Sequence, residues 1–112
     1  MKKFFVLYMA PVAGMEKMMA TATHEEMKTG VDAWTAWMED HKADLAEVGA
    51  PLGKNKRVTK SSISDIKNEV TGYSIVLAET HEEAAALLQD SPHFGIPGAY
   101  IEVLDMVSIP GM

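Results

Sequence analysis

The chain has no cysteine, a single arginine, and no apolar run approaching the ~20 residues of a membrane-spanning helix. Without cysteine, disulfides and thiolate chemistry are excluded, and a reducing compartment suits the protein. The scarcity of arginine goes with a net charge of −6. Such a surface repels phosphate backbones, so nucleic acid is not an expected partner, and the missing apolar run removes the membrane as well. No His-x-x-x-His or comparable spacing links the four histidines, so neither a metal nor a cofactor is expected. Met1-Lys2-Lys3 ahead of the apolar Phe4 to Ala10 imitates a secretory signal, and Ala20-Thr21-Ala22 imitates its cleavage site. Pro11 ends that run, and Glu16 and Lys17 stand where a signal has short neutral residues. The N-terminus therefore reads as intact and the protein as cytoplasmic.

What is present is enough for one domain over residues 1–112: 47% hydrophobic residues supply a core that needs no staples. Thr-His-Glu-Glu occurs twice, at Thr23–Glu26 and Thr80–Glu83. Each copy is a helix start, with a threonine to cap the first turn and a glutamate three residues later to reach back to the cap. Each also follows an apolar stretch and precedes another. Lys3 to Met9 is a strand apolar on both alternating sets, Phe5, Leu7 and Met9 against Phe4, Val6 and Tyr8. Ala10 to Ala22, with Pro11 and Gly14, reads as a loop carrying Met15, Met18 and Met19. The first helix is predicted over His24 to Lys42, with Met27, Val31, Trp34, Met38, His41 and, just beyond its end, Leu45 along one face. A second strand follows near Leu45 to Leu52. Val58 to Ile63 alternates and is expected to form a hairpin with the strand after it, Thr71 to Glu79, which is again apolar on both sets. A short helix, His81 to Gln89, and a last strand, Tyr100 to Val107, complete the order.

The resulting pattern is α+β: a ferredoxin-like βαββαβ two-layer sandwich with an extra hairpin, both helices lying on one side of an antiparallel sheet. The other sheet face then carries apolar side chains that the chain itself does not cover. A second copy laid sheet to sheet would cover them, so a homodimer is expected.

Among the chemistry-bearing residues, His93 in the turn after the second helix is the candidate acid or base, and Asp90 the group to orient it. Tyr8 and Trp34 offer an aromatic wall. Arg57 sits in the basic run Lys54, Lys56, Arg57 and Lys60 and is suited to gripping a carboxylate or phosphate. A small anionic or aromatic ligand is the expected partner of such a cleft. His24, His41 and His81 read as helix-end residues, and the paired glutamates as first-turn acids. Two function classes remain: a small-molecule site, with binding or cofactor-independent acid-base catalysis, or a non-catalytic dimerisation or regulatory module. The first requires a cavity; the second requires a filled, flat interface.

Phe4-Phe5-Val6-Leu7-Tyr8, Gly49-Ala50-Pro51-Leu52, Thr71-Gly72-Tyr73-Ser74-Ile75, the alanine-rich Glu82 to Leu88, Ser91-Pro92-His93 and Ile101-Glu102-Val103 together resemble the YCII-related (DGPF) domain family. The resemblance implies membership of the dimeric α/β barrel superfamily, with a cleft between the sheet, the first helix and the partner chain. Some members pair a histidine in the first helix with an aspartate just before a Pro-Phe turn. Here Asp32 stands near the histidine's place, and Asp90-Ser91-Pro92-His93-Phe94 sets serine before the proline, so that dyad does not carry over intact.

Overall fold

The first strand organises the molecule, because its two apolar sets meet different surroundings. In the computed structural model, which describes residues 1–111, β1 (Lys2–Met9) buries Phe4, Val6 and Tyr8, while Phe5, Leu7 and Met9 are only half-buried. Its neighbour β5 (Val70–Ala78) behaves alike, with Ser74, Val76 and Ala78 inward and Tyr73, Ile75 and Leu77 half-covered. Strands β2 (Leu45–Pro51) and β6 (Tyr100–Asp105) flank this pair, giving an antiparallel sheet in the order β2-β5-β1-β6. This is the ferredoxin-like arrangement expected from the element order. Phe4, Val6 and Val76 are fully buried, each stabilising the fold by ~1.5–3 kcal/mol.

Helices α2 (His24–Asp40) and α3 (His81–Leu87) begin at the two Thr-His-Glu-Glu copies. The first copy forms a closed capping box: Thr23 Oγ1 accepts from the Glu26 N–H at 3.1 Å, and Glu26 Oε1 accepts from the Thr23 N–H at 3.4 Å. The second is open. Thr80 Oγ1 accepts from the Glu83 N–H, but the Glu83 carboxylate takes the N–H of Glu79 instead of that of the cap.

Three expectations are corrected. Residues 12–21 are not a loop but a helix, α1 (Val12–Thr21), begun by Pro11. Its run of Met, Ala, Glu and Lys is helix-favouring, and one glycine costs only about 1 kcal/mol. The hairpin forms a sheet of its own, β3 (Lys56–Val58) against β4 (Ile63–Asp65), and does not extend the main sheet. The expected apolar stripe of α2 is not enclosed: Met27 and Val31 are exposed, Trp34 and Met38 are half-buried, and the buried residue of the helix is Trp37, which lies off that stripe. Among the described residues, no helix is long and apolar enough to cross a membrane.

Candidate functional site

A cavity of about 380 Å³ opens between α2, the middle of the sheet and the turn after α3. Tyr8 forms its floor. The position of Tyr8 on the inward set of β1 carries its ring under α2, where Trp34 meets it edge-on at 5.1 Å between centroids. Its hydroxyl lies 2.9 Å from Ser74 Oγ, and Ser74 Oγ lies 2.7 Å from the Val48 carbonyl. A carbonyl only accepts, so Ser74 donates to Val48 and Tyr8 must donate to Ser74. Burial raises the Tyr8 pKa, with the Ser74 bond opposing more weakly, so the group is a phenol at neutral pH.

The wall on the β2 side depends on Gly49. Its φ is +83°, and a Cβ there would fall 1.7 Å from the Tyr73 carbonyl oxygen. Only glycine fits, and the irregular β2 register that results turns the Val48 carbonyl onto Ser74.

His93 closes the far end. Ser91 caps the 3₁₀ turn Pro92–Gly95, accepting from the His93 N–H at 3.2 Å, and this drives the imidazole inward rather than out to solvent. The residue is 3% exposed and its ring stands 5.4 Å from that of Tyr8. Nε2 lies 2.7 Å from the Met9 carbonyl, which fixes the proton of the neutral ring on Nε2 and leaves the Nδ1 lone pair uncommitted to that bond. Burial pushes the His93 pKa below its ordinary value, while backbone hydrogen bonds with Met9 and Tyr100 push the other way more weakly. At neutral pH the ring is therefore uncharged.

Tyr8, Trp34 and His93 thus converge on one cavity. Asp90 does not join them: Oδ1 accepts from Trp37 Nε1 at 3.0 Å, and Oδ2 lies 3.7 Å from His41 Nε2. The expectation that it orients His93 gives way to a different role, tying the end of α2 to the turn; the Met9 carbonyl orients His93 instead. Arg57 lies on β3 opposite Ser64, exposed and outside the cavity lining. Its neighbours Lys54 and Lys56 border a separate open groove of about 900 Å³ between α1 and the hairpin, where Lys56 pairs with Asp65 and Lys67 with Glu16. Asp32 is exposed and paired with Lys28 on the helix surface. His81 lies outside the cavity lining; its Nε2 bonds the Val103 carbonyl at 2.7 Å, while its ring stacks on Phe4. Among the described residues, no three histidine or carboxylate groups come together as a metal would require.

Sequence reasoning missed Ser74, Thr71, Thr35 and the Gly49 bend, all of which line the cavity. Ser74 carried a usable signal: it interrupts the small and apolar inward set Gly72, Val76 and Ala78 of β5, and a polar residue at such a position needs a partner.

No protein-family model matches the chain, and no curated protein matches it. Among solved structures, the chain is similar to the 5-chloro-2-hydroxyhydroquinone dehydrochlorinase of Burkholderia phenoliruptrix AC1100, determined in complex with 2,5-dihydroxybenzoquinone. The two share 16% sequence identity at a TM-score of 0.51, over 89% of this chain and 90% of the other. At that identity the likeness establishes the fold alone.

Proposed function

We propose that the protein binds a small aromatic molecule in the cleft between α2 and the sheet, with His93 and Tyr8 as the groups that exchange protons or hydrogen bonds with it. The observation carrying this reading is the convergence of Tyr8, Trp34 and His93, distant in sequence, on one cavity whose lining contains no acidic or basic side chain apart from the uncharged histidine. Its volume falls in the range of small-molecule sites, and its walls are apolar with a few polar groups, as such sites require. The fixed Nε2–H tautomer gives His93 a lone pair suited to act as a base without a cofactor. The dehydrochlorinase of like fold was determined with a small dihydroxybenzoquinone, a ring of suitable size for such a cavity. A purely structural dimerisation module has no need of this hollow, which favours the small-molecule reading.

The reading includes a homodimer of one-domain chains, joined through the open sheet face into a dimeric α/β barrel of the YCII-related kind and working in the cytoplasm. Half-covered Phe5, Leu7, Tyr73 and Ile75 on that face supply the surface.

A thermal-shift screen of small neutral aromatics and small carboxylic acids tests the ligand. The aromatics should stabilise the protein, by about 2.7 kcal/mol at a hundred times their Kd, and Trp34→Ala should abolish the effect. Absence of stabilisation by either set at saturating concentrations would end the small-molecule reading.

A further inference from the structure

The hydroxyl groups lining the cleft share one property: each has already given its proton to the protein. Tyr8 donates to Ser74, and Ser74 to the Val48 carbonyl. Thr71 Oγ1 donates to the Tyr8 carbonyl and Thr35 Oγ1 to the Val31 carbonyl, both at 2.9 Å. His93, whose Nε2–H serves the Met9 carbonyl, has no N–H left for a ligand in its neutral form. The directions are forced wherever the partner is a carbonyl, because a carbonyl cannot donate. What the cleft retains is therefore hydrogen-bond acceptance, at the Tyr8 oxygen above all. Trp34 Nε1–H is the one side-chain donor of the lining without a hydrogen bond among the described residues.

We infer that the cleft selects neutral aromatics that carry a hydroxyl or amino group as donor, and discriminates against carboxylates and donor-free ethers of the same shape. The inference rests on the cleft being a small-molecule site and adds the polarity of its ligand. A carboxylate entering it would lose its hydration and meet no cation, with Arg57 and the lysines elsewhere. An aryl ether would fit by shape but leave the Tyr8 oxygen facing another acceptor. A phenol satisfies that oxygen while its ring packs on Trp34. Discrimination of this kind is characteristic of buried polar sites, which lose much more from a missing partner than apolar pockets do from a missing methylene.

The experiment is calorimetric titration of the full chain at pH 7 with 4-methylphenol, 4-methylanisole, toluene and 4-methylbenzoate. The phenol should bind at least fivefold more tightly than the anisole and than the benzoate. A smaller preference over either, with toluene and anisole still binding, would overturn the donor inference and leave the cleft standing. If none of the four binds, the cleft reading itself fails and this inference with it. Tyr8→Phe, checked for folding by circular dichroism, should lose most of the preference for the phenol over the anisole. An unchanged preference in that variant would overturn the assignment of the Tyr8 oxygen as the acceptor.

Discussion

At the scale of single residues, the site is governed by where protons are already committed. His93 is held neutral by burial, and this sets the sign of its effect on stability. The folded-state pKa lies below the unfolded value of about 6.5, so protonation favours the unfolded chain. This penalty is absent well above pH 6.5, grows as pH falls from there to the folded pKa, and levels off below it, where both states are protonated. Melting temperature should therefore drop between pH 7 and pH 5, and His93→Gln, which keeps an N–H for the Met9 carbonyl, should show a shallower drop. Equal slopes in the two proteins, measured by circular dichroism, would mean that His93 is not buried uncharged. The sequence marked His93, Tyr8 and Trp34 as site residues from chemistry and position. It did not reveal that Asp90 serves Trp37 and His41, because proximity along the chain does not determine which way a side chain at a helix end turns.

At the scale of elements, local signals performed well where capping chemistry and two-residue periodicity agreed. Both helices that follow Thr-His-Glu-Glu start where the threonines stand, and β1 and β5 fall within one residue of their predicted starts. Periodicity showed two apolar faces on these strands, but only packing decided that Phe4, Val6 and Tyr8 lie beneath the helices. Pro11 and Gly14 argue for a loop, yet segment 12–21 is helical, because proline ahead of a helix starts it and one glycine does not break it. Gly49 is the element-scale feature with the sharpest consequence. Gly49→Ala should destabilise the protein by about 3 kcal/mol or more, since left-handed strain is added to a collision with backbone. Urea denaturation measures this; a loss below about 1 kcal/mol would show that β2 can rearrange without its bend, and that the cavity wall is not fixed by it.

At the scale of the whole molecule, the chain is a thin body of 48 × 45 × 19 Å with a radius of gyration of 15.8 Å, against roughly 13 Å for a compact domain of this length. The hairpin and the C-terminal residues Met106, Val107 and Ile109 are exposed, and the sheet has an apolar face open to solvent. A second copy would cover that face. Light scattering should give about twice the 12.2 kDa of one chain, and Leu7→Glu, which places a charge in the middle of the open face, should give the monomer with its circular dichroism unchanged. A wild-type monomer at micromolar concentration would remove the sheet-to-sheet pairing. The need for a cover was legible in the alternation of β1 and β5; the identity of the cover was not, because the chain encodes an unpaired surface without encoding what pairs with it.

The central claim, that the cavity beside Trp34 receives a small aromatic ligand, has a direct probe in the two tryptophans. Trp34 lines the cavity, while Trp37 is buried with its Nε1–H committed to Asp90. In a ¹H–¹⁵N spectrum the two indole N–H signals can be followed together during titration with 4-methylphenol. A saturable shift of the Trp34 signal, with that of Trp37 nearly still, is the predicted result; a Trp34 signal that does not move at saturating concentrations would contradict it.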